Sequence, residues 1–167
     1  MAATTPRSAL PYFLISALSF LAVGAALVSQ HVFSMPPCAW CVLQRLIYLM
    51  LGVTSLAAGL LRQSGHEGAS RVAGILALAS VAGGILAAWY QYTVAQHLFS
   101  CDQTFADRFI TQSGLESTFP SLFGIYASCM DARVELLGME YALWSLALFI
   151  ILGVGVVAAL LRRPKPI

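Results

Sequence analysis

Two thiols stand three residues apart in the stretch Pro36-Pro37-Cys38-Ala39-Trp40-Cys41-Val42-Leu43-Gln44-Arg45, with one cation a helical turn beyond the second. If a helix opens here, Cys41 lies near its N-terminus and Arg45 falls on the same face, four residues on. A helix N-terminus and a nearby guanidinium both favour the thiolate over the thiol. The thiolate is the form that attacks disulfides and electron-poor rings. Two more cysteines, Cys101 and Cys129, complete the set.

The elements that must position these residues are unusually apolar. The chain of 167 residues is 59% hydrophobic and only 10% charged, under half the charge of an ordinary soluble domain. Its net charge of +2 is too small to imply a nucleic-acid partner. Four apolar runs, about 12–30, 42–61, 72–92 and 141–161, are each long enough as a helix to cross ~30 Å of hydrocarbon. Only the second contains a charge, Arg45. Four such runs, apolar on every face, predict an all-α membrane protein with a four-transmembrane-helix bundle in a single domain, 1–167. The first run is longer than a signal-peptide core, which favours an uncleaved helix.

Basic residues orient the bundle. Segments 1–11, 62–71 and 162–167 share one side and hold Arg7, Arg62, Arg71, Arg162, Arg163 and Lys165, six of the nine Lys and Arg. The positive-inside rule places that side, and both termini, in the cytoplasm. All four cysteines then fall in the two outer loops, about 31–41 and 93–140, where thiols are expected to pair. Three pairings of four cysteines are open.

Along the chain, Pro36-Pro37 stiffens the short first loop and holds the cysteine pair close to the membrane. A charge inside a membrane run points to function, although Arg45 would also serve by snorkelling to headgroups. Small residues in the third run, among them Gly74, Gly83 and Gly84, permit close helix approach. Trp89, Tyr90 and Tyr92 form an interfacial belt. Gln91, Gln96 and His97 lie beside it and can each donate a hydrogen bond to a cofactor carbonyl, or simply face the interface. In the second loop, Phe105, Phe109 and Ile110 suggest a short amphipathic helix in the interface, with Asp107 and Arg108 toward water. Cys101 and Cys129 bracket this part, expected to be mobile, 28 positions apart. A purely structural bridge between them would contribute roughly 3–4 kcal/mol by loop closure.

Zinc fits poorly, because structural sites use two close-spaced pairs. Haem attachment needs His after the second Cys, and Val42 stands there. A Cys-x-x-Cys bridge closes too small a loop to be a useful staple. A relay fits better: a soluble dithiol passes two electrons to one pair, that pair passes them to the other, and a lipid-soluble acceptor such as a quinone takes them beside Arg45. The alternative is a non-enzymatic membrane scaffold with two static outer disulfides. An ion-coupled transporter is disfavoured, because no acid or lysine sits mid-membrane.

Four membrane runs, Cys-x-x-Cys opening the second with Gln44-Arg45 after it, a cysteine pair in the second outer loop, and Gly138-Met139-Glu140 with Trp144 entering the fourth run together resemble the DsbB family of bacterial disulfide-forming membrane proteins. The resemblance covers nearly the whole chain. It implies a bundle in the bacterial inner membrane with periplasmic outer loops, which reoxidises periplasmic DsbA and passes electrons to ubiquinone or menaquinone. Carried over by position, Cys38–Cys41 would be the quinone-proximal disulfide and Cys101–Cys129 the partner-facing one, with Cys101 forming the mixed disulfide. Arg45 would contact the quinone. So would a glutamine near the end of the third helix, for which Gln91 and Gln96 are candidates. The vitamin K epoxide reductase family shares this chemistry, but its Cys-x-x-Cys lies late in the chain.

Overall fold

The computed structural model describes residues 9–97, 104–132, 134–136 and 138–162. Four long helices, α1 (Leu10–Val32), α2 (Ala39–Gln63), α3 (Glu67–Thr93) and α7 (Tyr141–Leu161), form the bundle. All four are long and apolar enough to cross a membrane. This is the expected all-α architecture. α1, α2 and α3 run beyond the apolar stretches of the sequence, because backbone hydrogen bonding continues where side chains turn polar.

Pro11 opens α1, at a position where its missing N–H has no helical partner to lose. The turn between α2 and α3 closes with His66 N donating to Leu61 O at 2.9 Å and Gly65 N to Arg62 O at 3.2 Å. Gly65 sits at φ 79°, a left-handed conformation that glycine adopts without a Cβ clash. A tight turn of this kind makes α2 and α3 antiparallel neighbours.

The core between the helices includes Ile15, Tyr48, Leu51, Val81, Phe149, Leu152 and Val156. Gly84 lets α3 meet α7 closely: a Cβ there would overlap the Phe149 ring. The outward faces are apolar as well, with Leu21, Leu86, Ile151 and Val154 all well exposed. A chain that is apolar both inside and outside is built for lipid.

The segment between α3 and α7 folds over the start of α2. It contains α4 (Phe105–Gln112), two single-turn helices α5 (Leu115–Thr118) and α6 (Pro120–Phe123), and a two-stranded ribbon, β1 (Glu135–Leu136) against β2 (Met139–Glu140). α4 is the short amphipathic helix expected from sequence, but its faces divide differently. Ala106 and Ile110 are buried against the protein, while Phe105 and Phe109 are exposed and stack with centroids 5.9 Å apart. Asp107 does not simply face water. It accepts from Thr104 N at 2.9 Å and from the Thr104 hydroxyl, capping the helix. The two-residue strands are too short to leave a periodic signal in the sequence.

Candidate redox site

The start of α2 is built around Cys38, the N-cap residue. Its backbone is extended (φ −87°, ψ 169°) and its sulfur accepts from Cys41 N at 3.4 Å. Capping brings the two sulfurs to 2.8 Å, with both thiols free. Cys38 is fully buried and Cys41 is half-buried.

The loop between α3 and α7 brings a third thiol to this pair. Tyr126 N and Ala127 N donate to Pro37 O, at 3.0 and 3.3 Å, pinning the loop to the residue just before Cys38. Trp40 Nε1 donates to Thr104 Oγ1 at 3.1 Å, pinning the start of α4 as well. Cys129 thereby comes within side-chain hydrogen-bonding reach of Cys38. Hydrogen bonds to Cys129 and then Cys41, followed by burial, push the Cys38 thiol well above its ordinary range. The described part of the loop is therefore docked rather than a mobile arm. Of the expected Cys101–Cys129 pair, Cys101 lies outside the described residues, and Cys129 is beside Cys38.

Cys41 opens onto a cavity of about 390 Å³ between α1, α2, α3 and α7. Small apolar residues line much of it, including Ala22, Ala25 and Ala26 of α1 and Ala147 of α7. Arg45, only 5% exposed, also lines it. Arg45 donates to Gln30 Oε1 at 2.6 Å, Leu122 O at 3.1 Å and Ala26 O at 3.4 Å. None of these acceptors carries a charge, so the cation's field reaches into the cavity undiminished by a carboxylate at those positions.

Gln91 of α3 reaches the sulfurs: its Nε2 lies 3.2 Å from Cys41 Sγ and 3.7 Å from Cys38 Sγ. Its Oε1 accepts from Gln44 Nε2 at 2.6 Å. Gln96 is buried in the turn Ala95–His97 that follows α3, and His97 is exposed at its end. Neither lines the cavity.

Tyr48 and Ser145 also belong to the site, although their residue types alone do not mark them. Tyr48 OH lies 3.1 Å from Ser145 Oγ and 3.2 Å from Ser145 O, and its ring stacks on Phe149 at 4.0 Å. Both residues line the cavity. Helical spacing carried the signal for Tyr48, since Cys41, Gln44, Arg45 and Tyr48 recur at i, i+3, i+4 and i+7.

A bundle of four membrane-length helices, with a cysteine pair at the wall of an apolar cavity and a third thiol docked behind it, defines a membrane protein of thiol–disulfide chemistry. The chain belongs to the DsbB family: the profile described as "Disulfide bond formation protein DsbB" matches residues 8–159. It is 31% identical over 156 residues to disulfide bond formation protein B of Ralstonia nicotianae, covering 92% of this chain and 94% of that one. The protein of the same name from Cupriavidus metallidurans is 27% identical over 157 residues, covering 92% and 93% of the two chains. That from Nitrosomonas europaea is 28% identical over 157 residues, covering 93% and 94%. The protein is thus a multi-pass membrane oxidoreductase of disulfide bond formation.

Proposed function

We propose that the protein reoxidises a periplasmic DsbA-type dithiol and passes the two electrons through its cysteine pairs to a membrane quinone, either ubiquinone or menaquinone. The observation that carries this reading is the arrangement Cys129, Cys38, Cys41, cavity, Arg45, in that order. Electrons enter from the soluble partner at Cys101 and Cys129. They move to Cys38 and Cys41 by thiol–disulfide exchange, and leave from Cys41 at the cavity wall. The quinone is the co-substrate that accepts two electrons and two protons.

The residues present suit such a group. The cavity falls within the ~300–1,000 Å³ usual for small-molecule sites, and its lining is mostly apolar with a few convergent polar groups. Arg45 holds a positive charge where a reduced ring would gain negative charge. The chain functions as one integral domain in the inner membrane with both termini cytoplasmic, as the six basic residues on that side support.

The test mixes purified protein and quinone with a reduced DsbA-type dithiol and follows quinone absorbance. Dithiol oxidation should match quinone loss, and Cys38→Ser, Cys41→Ser, Cys101→Ser and Cys129→Ser should each reduce the rate to background. If the parent shows no exchange, or if all four variants match the parent, the cysteines are static staples and the relay is wrong.

A further inference from the structure

We infer that Gln91 is a catalytic residue of this site: its amide N–H holds the Cys41 sulfur as the thiolate, and Gln44 is the positioning residue that fixes the direction of that amide. The inference rests on the relay proposed above and gives Gln91, which also lines the cavity, a role toward sulfur.

A glutamine amide has one donating and one accepting end. Gln91 is buried with its amide between two different neighbours, the sulfurs on one side and Gln44 on the other. The NH2 group is the end that faces the sulfurs, and a thiolate, which can only accept, is the form that such a donor favours. The oxygen then faces Gln44, whose Nε2 donates to it at 2.6 Å. Gln44 is itself buried, 5% exposed, one turn beyond Cys41 on α2. The pair spans α2 and α3 and points the Gln91 NH2 group at Cys41, 3.2 Å away, more closely than at Cys38, 3.7 Å away.

The asymmetry matches the chemistry of exchange. Suppose that Cys38 and Cys41 form a disulfide and Cys129 is a thiolate. Cys129 lies beside Cys38, so its sulfur attacks Cys38. The Cys129–Cys38 bond forms and the Cys38–Cys41 bond breaks. Cys41 departs with the electron pair as a thiolate. A hydrogen-bond donor aimed at Cys41 stabilises the leaving group, and with it the transition state in which that charge develops. The same donor holds the Cys41 thiolate ready to give up electrons at the cavity. The charged or titratable groups facing this sulfur are Cys38 at the helix start, Arg45 on α2 and Tyr141 on α7, while Cys129 faces Cys38.

The test needs neither quinone nor partner. Full-length protein in detergent, carrying Cys38→Ser, Cys101→Ser and Cys129→Ser, leaves Cys41 as the only thiol. Its rate of alkylation by iodoacetamide is measured against pH. Gln91→Met, similar in volume but without a donor, should raise the midpoint by about one unit, or about tenfold less thiolate at any pH below both midpoints. Gln44→Met should raise it by less, because the amide is freed to turn. The double variant should match Gln91→Met alone, since Gln44 acts only through Gln91. Unmoved midpoints in both single variants would overturn the inference, and additive shifts would overturn the role of Gln44. If Gln91→Met does not fold, Gln44→Met carries the test, and an unmoved midpoint there overturns the inference. Absence of quinone reduction by the parent, with these shifts present, would count against the relay and not against Gln91.

Discussion

Helix α2 buries one arginine near each end, and the two have different surroundings. Arg62 is 3% exposed and Arg45 is 5% exposed. Arg62 donates to Ala159 O at 3.1 Å and to Arg162 O, at the C-terminal end of α7. Its guanidinium also lies 6.0 Å from the centroid of the Tyr12 ring on α1. A helix C-terminus collects unpaired carbonyls and partial negative charge, so Arg62 fastens α1, α2 and α7 where the backbone most needs donors. Arg45 also touches carbonyl and amide oxygens, but it borders a cavity and stands one turn from Cys41. Burial of a cation does not by itself identify a working residue. The space beside it, and the reactive group across that space, do.

The largest expected effect lies at the cavity. Arg45→Met should lower kcat/KM for quinone by about 100-fold, the scale of removing a charge-stabilising donor from an active site. Steady-state assays over a range of quinone concentrations would show it, and a parental kcat/KM would remove Arg45 from the site. At the other end, Arg62→Met should cost about 2 kcal/mol of stability, because buried carbonyls lose their donors. Denaturant unfolding in detergent measures this, and KM for quinone should stay parental. If Arg62→Met lowered kcat/KM for quinone as much as Arg45→Met, the contrast between the two ends would collapse.

A smaller effect sharpens the description of the cysteine end. The neutral form of Cys38 is favoured in the folded protein, so its thiolate forms only as pH rises past the ordinary thiol value of about 8.5. Alkylation of Cys38 in the reduced protein, followed by peptide mass mapping, should remain slow below that pH and climb above it. Rapid labelling at neutral pH would contradict the buried, doubly hydrogen-bonded setting. By linkage, the same shift stabilises the folded protein below the unfolded thiol value, and that contribution is lost as pH rises through the titration of folded Cys38.

Local pattern explains what was legible in the sequence. The four bundle helices could be read because a membrane segment must be apolar along its whole length, and α7 (Tyr141–Leu161) coincides with its run. α4 could be read because its apolar residues recur at helical spacing. Which of its faces is buried could not, because Ile110 and Phe109 are equally apolar and only the position of α2 separates them. Gln91, Gln96 and His97 were indistinguishable by type. The backbone decides among them: α3 continues through Gln91 and points it at α2, then breaks into a turn that carries Gln96 and His97 away from the cavity.

Chain-local pattern was enough to read four membrane-length helices, the Cys-x-x-Cys pair that opens the second, and the cation one turn later. Each of these is a property of neighbours in the chain, set by hydropathy and by helical repeat. Packing alone places Cys129 against Cys38, brings Gln91 to Cys41 from another helix, and turns Arg45 to a cavity while Arg62 meets a helix end. Gln91 and Cys41 are 50 positions apart, and Arg62 is 97 and 100 positions from its two carbonyl partners. These contacts depend on how helices and loop pack, and packing depends on the shapes of all the side chains between them at once.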